Sequence, residues 1–156
     1  MVTLAGVTRT VADGKAAMTK LLGDGGALLK FAQMIEAQGG DRRVVDDPRR
    51  LPAAPVQLTV EAPASGVVAG IDAQAVGVAV MELGAGRATK DDRINPAVGI
   101  VLACKVGDAV RQGTPLAAVH ASDHEAAGRA ARQIQAAYRT SARAPARRPL
   151  VHEVIS

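Results

Sequence analysis

Apolar residues in the first forty positions of the chain recur at helical spacing. The clearest case is residues 27–38, where apolar side chains fall at i, i+3, i+4 and i+7 and share one face: Leu28, Phe31, Ala32 and Ile35. Residues 10–22 have a weaker pattern of the same period, and Thr10 is placed to cap the first turn. Glycines follow both runs, so the sequence predicts two N-terminal helices.

From residue 56 the pattern changes to the alternation of apolar and polar side chains that is typical of half-buried strands. Turns rich in glycine and proline separate the predicted strands, which are 56–62, 67–71, 98–106, a short strand from 110, 116–120 and 150–155. Residues 41–55 lie between the two patterns and contain three prolines. Their composition predicts a linker or an irregular turn between two structural units.

The segment that follows Asp72 fits two patterns. Val76, Val78 and Val80 alternate as in a strand, whereas Val76, Val80 and Leu83 fall on one face of a helix. Asp72 is placed to cap such a helix, and the glycines after Leu83 would end it. The periodicity by itself leaves both structures open.

Ser122 and Glu125 have the spacing of a capping box, so they predict the start of a helix. Small apolar residues follow at helical spacing and predict close packing against a sheet; they are Ala127, Ala130, Ala131, Ile134, Ala137 and Tyr138. The predicted order is two helices, a linker, and a mixed domain of strands and helices. This order predicts an α+β protein rather than a repeating βαβ fold.

The composition indicates a globular protein and excludes several classes of function. Hydrophobic residues make up 48% of the chain and charged residues 22%, which is enough for an apolar core. Phe31 and Tyr138 are the only aromatic residues, so aromatic platforms that stack on bases or sugar rings are excluded. The sequence shows no signal-peptide pattern and no apolar run as long as a membrane span, and we predict a cytoplasmic protein without a membrane partner.

The net charge of +4 is unevenly distributed. Residues 126–152 contain six arginines and no acidic residue. Such a stretch fits either an anionic partner such as nucleic acid or a solvated helix face followed by a polar connector. Because no nucleic-acid-binding motif accompanies the arginines, we interpret them as a solvated face and predict no nucleic-acid partner.

Metal and thiol chemistry have weak support in the sequence. His120, Asp123 and His124 are close together, but the predicted helix start separates the two histidines onto different elements. Further ligands of the right type are not evident, so we predict no metal site. Cys104 lies in an apolar run beside Lys105, and we predict a buried structural cysteine rather than a reactive thiolate.

A glycine-rich, charged segment covers residues 84–97. Its start has glycines and cations in the manner of a phosphate loop, but it lacks the Gly-Lys-Ser/Thr ending. The segment fits a mobile loop whose cations approach an anion, or a plain surface turn. The sequence shows no Ser-His-Asp arrangement and no other recognisable catalytic motif. It therefore predicts no catalytic or cofactor-binding residue.

Residues 99–119 are similar to half of the barrel of biotinyl and lipoyl domains. They share with those domains the sequence pattern Gly-Asp-x-Val-x-x-Gly-x-x-Leu. Those domains carry a modified lysine on an exposed hairpin, where this chain has His120-Ala121-Ser122-Asp123. A carrier function is therefore disfavoured. The alternative that this resemblance implies is a stand-alone half-barrel interaction module without a modified lysine.

A longer series of motifs is similar to the C-terminal part of the thymidine phosphorylase and pyrimidine-nucleoside phosphorylase family. Each motif is weak alone, but their order and spacing hold over nearly the whole chain. The motifs are Leu4-Ala5-Gly6, Phe31 to Glu36, Ala37 to Asp41, Ala62 to Val68, Ala75 to Gly77, Leu83 to Arg87, Asn95 to Gly99, Val106 to Asp108 and Val119 to Ala121.

This resemblance implies that residues 1–45 are a helical segment of the family's α/β domain. It implies that residues 56–156 form the family's C-terminal domain, which is barrel-sandwich-like and of the alpha/beta hammerhead type. It favours a helix after Asp72. It also implies that the loop 84–93 lies near the entrance of a substrate cleft, with four residues as expected lid elements: Gly84, Gly86, Arg87 and Lys90.

The family performs reversible phosphorolysis, in which a pyrimidine nucleoside and phosphate give the free base and a pentose 1-phosphate. Its phosphate-binding and base-binding motifs belong to an N-terminal half that has no matching positions here. The resemblance therefore implies a fragment, from a truncated or split gene or an excised domain, that is inactive alone. Its implied partner is the N-terminal catalytic part of the same enzyme. The intact enzyme is expected to be a homodimer that binds phosphate and nucleoside without a cofactor, with thymidine and uridine both open as substrates.

Overall fold

Two groups of elements make up the structure, a computed structural model that describes residues 1–87, 89–146, 151 and 153. The chain divides into two compact units, Met1–Leu51 (unit 1) and Pro52–Ser156 (unit 2). The division falls inside the proline-containing segment 41–55.

Unit 1 contains the two helices that the apolar spacing predicts. Helix α1 is Val11–Gly23, and the Thr10 side chain caps it by accepting a hydrogen bond of 3.1 Å from the Asp13 amide. Helix α2 is Gly26–Ala37 and begins after Gly25, whose φ of 83° needs a glycine in so short a turn. The predicted linker is more regular than expected, because it contains two 3₁₀ helices, Arg42–Val45 and Pro48–Arg50.

Over its described residues, unit 2 contains the remaining helices and two antiparallel sheets. Its elements are β1 Val56–Glu61, β2 Gly66–Ile71, α3 Ala73–Val80, β3 Gly99–Leu102, β4 Ala109–Val110, β5 Pro115–Ala121, α4 His124–Ala137 and β6 Tyr138–Ser141. One sheet has the strand order β1-β5-β3 and the other β4-β2-β6. The α+β class is confirmed, and the described residues form no closed barrel.

The segment after Asp72 is helical. Asp72 Oδ1 accepts a hydrogen bond of 3.0 Å from the Ala75 amide and starts α3. The helix continues through a π-helical turn, Met81–Ala85, before the chain leaves it. Burial decides between the two patterns, because Ala79 and Leu83 are four residues apart and both pack into the core.

The predicted strand 98–106 is wrong in its second half. Strand β3 ends at Leu102, because the Ala103 and Cys104 amides both point at Leu116 O, at 2.8 and 3.3 Å. The Lys105 amide then donates to Asp108 Oδ2 at 2.7 Å and forms a turn. The sequence predicts a continuous strand here because most residues from 98 to 106 are apolar.

The predicted capping box of α4 is also wrong. Asp123 is the N-cap, and its Oδ1 accepts a hydrogen bond of 2.8 Å from the Ala126 amide. Ser122 lies one residue too early to cap the helix. A carboxylate at this position also suits the positive end of the helix dipole.

The C-terminal end of α4 differs from the sequence prediction as well. Tyr138 was predicted to extend the helical stripe, but its backbone is extended, with φ −87° and ψ 130°. It begins β6, which pairs with β2 through Ile71 and Tyr138. The predicted strand 150–155 lies outside the described residues, apart from the isolated positions 151 and 153.

The core lies in unit 2 and is aliphatic, as the composition predicts. Helix α4 packs against α3, β1 and β5 through a side of alanines and Ile134. The largest fully buried side chains are Leu116, Ile134, Val68 and Val119. The alanines allow α4 to approach β1 and β5 closely, and α3, which precedes the loop to β3, packs against α4.

Candidate functional site

The four expected lid residues lie where α3 gives way to the loop that leads to β3. Gly84 has a φ of 97°, which turns the backbone out of the helix and favours glycine. At Gly86 an added Cβ would lie 3.2 Å from Met81 Cα and 3.3 Å from Met81 Cβ. The chain therefore folds back closely over the last helical turn, and two glycines permit this path.

The base of the loop is closed by Asn95. Its backbone amide donates a hydrogen bond of 2.8 Å to Gly84 O, across the two ends of the loop. Its side-chain Nδ2 donates to Ser122 Oγ at 3.3 Å, next to the start of α4. Its Oδ1 accepts from the Ala97 amide at 3.0 Å. Asn95 thus joins both ends of the loop and the turn that precedes α4.

The outer part of the loop carries its charged groups. The amide and hydroxyl of Thr89 both donate to the Asp92 carboxylate at 2.8 Å, which forms a tight internal turn. Arg87, which precedes this turn, and Lys90, which lies within it, are both exposed. Within the described part of the chain, neither cation belongs to an ion pair, so both can meet an anion from outside.

Sequence reasoning found this loop but missed the residue that holds it. Asn95 begins one of the motifs that resemble the family, and an asparagine before a proline is typical of a turn. Its partner Ser122 is 27 residues further along the chain. No local pattern connects the two residues, because only the packing of α4 brings them together.

The histidine and acid cluster stays apart in the structure. His120 belongs to β5, His124 is the first residue of α4, and the Asp123 carboxylate is used as the helix cap. No group of three or more potential metal ligands lies together among the described residues.

Cys104 is buried, as predicted, and its Sγ donates a hydrogen bond of 3.3 Å to Pro115 O. Close by, the Tyr138 hydroxyl lies 2.9 Å from Cys104 O and 3.1 Å from Leu116 O. Burial, and after it the nearby Cys104 and Asp108, raise the pKa of Tyr138 above its usual value. These groups are structural, since they bond to the backbone of the core.

The arginines of the basic stretch are exposed where the structure describes them. Arg129 pairs with Glu125 one helical turn away, and Arg132, Arg139 and Arg143 are on the surface. Two members of the stretch, Arg147 and Arg148, lie outside the described residues. Among the helices that the structure describes, none is long and apolar enough to cross a membrane.

The comparisons with known proteins agree on one family. Residues 67–141 match the family model of the pyrimidine nucleoside phosphorylase C-terminal domain. The chain is 48% identical over 122 residues to a pyrimidine-nucleoside phosphorylase of Bacillus subtilis (strain 168). It is 45% and 44% identical, over the same length, to those of Staphylococcus haemolyticus (strain JCSC1435) and Staphylococcus aureus (strain USA300). In each case the match covers 78% of this chain and 28% of the relative.

Proposed function

We propose, since this chain carries the C-terminal domain of pyrimidine-nucleoside phosphorylases, that it works as part of an enzyme that cleaves pyrimidine nucleosides with phosphate. The products are the free base and a pentose 1-phosphate. The observation that carries this proposal is the family match over residues 67–141, which runs from β2 to β6 and includes the whole loop.

The reaction centre of this enzyme is supplied by a further part of the phosphorylase. Phosphorolysis needs several cations and amides around the phosphate and groups that stabilise the departing base. The loop offers Arg87 and Lys90 but no second set of groups for the base. The partner of this chain is therefore the N-terminal catalytic part of the enzyme. On the family resemblance, the assembled enzyme is a cytoplasmic homodimer without a cofactor.

The loop acts in this enzyme as a lid element at the entrance of the substrate cleft. Asn95 and Gly84 fix its base, while Arg87 and Lys90 face solvent without an ion-pair partner among the described residues. Cations held on such a loop attract the phosphate and shield its charge when the cleft closes.

The activity is tested by joining the chain in frame to the part of the Bacillus subtilis relative that it does not match. We expect the joined protein to release uracil from uridine, or thymine from thymidine, only when phosphate is present. The 156-residue chain alone should release neither. Base release by the chain alone, or its absence from a well-folded joined protein, would contradict the proposal.

The lid role is tested in the same joined protein with Arg87→Ala. Loss of a cation that meets the substrate should raise the KM for phosphate several-fold and change kcat less. Arg93→Ala is the matched control, because Arg93 is exposed in the same loop and carries the same charge. Unchanged kinetics for Arg87→Ala, or equal effects of both variants, would identify the loop as a plain surface turn.

A further inference from the structure

A cavity of about 910 Å³ lies in unit 2 beside the sheet β4-β2-β6, and we call it the β2–β6 cavity. Its walls come from β2, the turn before β4, the start of β6 and the residues that follow β6. Its lining residues include Gly70, Ile71, Val106, Asp108, Arg139 and Pro145. The volume is within the range of pockets that hold small organic ligands.

The guanidinium of Arg139 lies directly over the backbone of Gly70 on the neighbouring strand. The two residues are paired in register, and a Cβ added at Gly70 would lie 2.7 Å from Nη2 and 3.2 Å from Nε of Arg139. The guanidinium thus occupies the space that any other side chain at Gly70 would fill. Arg139 belongs to no ion pair among the described residues. A guanidinium held in this way offers a fork of N–H donors to a phosphate or a carboxylate.

The strand beside this arginine has a β-bulge. In the pairing of β2 with β6, Val68 is opposite Thr140 and Gly70 is opposite Arg139, so Ala69 has no partner on β6. A bulge bends its strand, redirects the side chains next to it and is over-represented beside functional sites. Ala69 and Gly70 both line the cavity, so the irregularity lies in the cavity wall.

Asp108 forms a second polar part of the wall. Its Oδ2 accepts a hydrogen bond of 2.7 Å from the Lys105 amide, and its carbonyl accepts one of 2.9 Å from the Val68 amide. These bonds fix Asp108 relative to β2. Among the described residues, the Asp108 carboxylate forms no ion pair with Arg139 or with any other cation. The cavity therefore presents a cation and a carboxylate that are both free to meet a ligand.

These two groups define the chemistry of the ligand. The guanidinium binds an anionic group, whereas the carboxylate accepts hydrogen bonds from hydroxyl groups and repels an anion from its own side. Because the attraction grows with the charge of the ligand, a phosphate monoester is favoured over a carboxylate. The described lining residues include no aromatic side chain, so the cavity has no platform on which a base would stack.

We propose that the β2–β6 cavity binds a small sugar phosphate. The phosphate accepts hydrogen bonds from the Arg139 fork, and a sugar hydroxyl donates to the Asp108 carboxylate. The pentose 1-phosphate of the proposed function belongs to this class of ligand. The binding itself goes beyond that function, and its test needs no catalysis.

The experiment titrates the full 156-residue chain with ribose 1-phosphate and follows the backbone amides by proton–nitrogen NMR. Physiological ionic strength is used, because it screens long-range attraction between exposed charges. We expect saturable shifts at the cavity, including the amides of Gly70, Gly107 and Asp108. Inorganic phosphate and ribose each carry half of the ligand's chemistry and should bind more weakly. Gluconate is the probe for a carboxylate in place of the phosphate.

Arg139→Gln removes the charge and should weaken the binding of ribose 1-phosphate by about tenfold or more. Gly70→Ala keeps the charge but places a Cβ where the guanidinium lies, so it should weaken binding similarly. Its clash involves only the end of a flexible side chain, which leaves the fold intact. Arg132→Gln is the matched control and should bind as the wild type does, since Arg132 is exposed on α4 outside the cavity.

Asp108→Asn tests the other end of the ligand. The variant keeps an oxygen that accepts from the Lys105 amide and loses the charge. We expect weaker binding of ribose 1-phosphate, whereas inorganic phosphate should bind as well as before or better. Weaker binding of both probes would contradict the assigned orientation of the ligand.

Lack of saturation by ribose 1-phosphate at millimolar concentration overturns the proposal, and so do shifts that centre on the loop 84–93. Equal weakening by Arg139→Gln and Arg132→Gln would show a general effect of net charge and would also overturn it. Full binding by Gly70→Ala, or tighter binding of gluconate, rejects the positioned phosphate site. These results come from the chain alone and do not depend on base release by the joined protein. Failure of this proposal and failure of the proposed function are therefore distinguishable.

Discussion

Tyr138 connects three parts of unit 2 through its hydroxyl group and its backbone. The hydroxyl lies 2.9 Å from Cys104 O and 3.1 Å from Leu116 O, while the backbone of Tyr138 pairs with β2. Tyr138→Phe keeps the ring and removes the donor. We expect it to lower the free energy of unfolding in urea by about 1 kcal/mol. A variant as stable as the wild type would show that water or the backbone replaces this bond.

The same hydroxyl makes stability depend on alkaline pH. Burial raises the pKa of Tyr138 above the value of about 10 that it has in the unfolded chain. The unfolded state therefore loses its proton first, so this contribution is complete below pH of about 10 and is lost as the pH rises towards the folded pKa. We expect the wild type to lose stability over this range and Tyr138→Phe to lose less.

Tyr138 is the only tyrosine of the chain, so ultraviolet absorbance of the phenolate reports its titration directly. The titration midpoint of the folded protein should lie above that of the protein in urea. Coincident midpoints would show that the hydroxyl is solvated in the folded state and would remove the basis for the pH effect.

At the scale of elements, the start of α4 depends on Asp123, whereas the sequence predicts Ser122 as the capping residue. Asp123 caps the helix through the Ala126 amide, whereas the Ser122 side chain, among the described residues, bonds to the Asn95 side chain. We expect Asp123→Ala to cost about 1 kcal/mol of unfolding free energy. Ser122→Ala should cost clearly less, since its hydroxyl satisfies no amide of the helix. Equal losses in urea unfolding would mean that the capping box forms after all.

The loop between α3 and β3 is the second element whose behaviour depends on one residue. Asn95→Ala removes the side-chain bonds to Ser122 and to the Ala97 amide and keeps the backbone bond to Gly84. We expect the loop to open locally more often and trypsin to cut it several-fold faster after Arg87, Lys90 and Arg93. Mass spectrometry of the first fragments identifies these cuts.

Asn95→Asp is the matched control for this experiment. It keeps an oxygen that accepts from the Ala97 amide and loses the donor to Ser122, so its cleavage rate should be intermediate. Cuts in unit 1 at Lys15 and Lys20 give an internal reference in every sample. If Asn95→Ala changes only these reference cuts, or none, Asn95 does not hold the loop.

On the scale of the whole molecule, the two units differ in how many apolar side chains they bury. All members of the main hydrophobic cluster belong to unit 2, whereas unit 1 buries only Gly14 and Ala32. We expect a polypeptide of residues 52–156 to unfold cooperatively in urea. Residues 1–51 alone should show no cooperative transition, because their apolar side chains have little to pack against. A cooperative transition of residues 1–51 would contradict this assignment of the core.

The family of the domain was accessible to sequence reasoning because its motifs are local and keep their spacing. The helices of unit 1, the cap of Asp72 and the turns at Gly107 and Gly113 are likewise set by neighbours within a few residues. The loop 84–93 was found for the same reason, since its glycines and cations lie close together in the sequence. The lid role of that loop stays a prediction.

By itself, the sequence determined the two helices of unit 1, the aliphatic character of the core and the relationship to a family, because period, composition and motif order are properties of neighbouring residues. Only the tertiary structure decided that Tyr138 leaves α4 for a strand and that β3 stops at Leu102. The same holds for the contact between Asn95 and Ser122. Each of these depends on a partner far along the chain, and burial against that partner outweighs the local pattern.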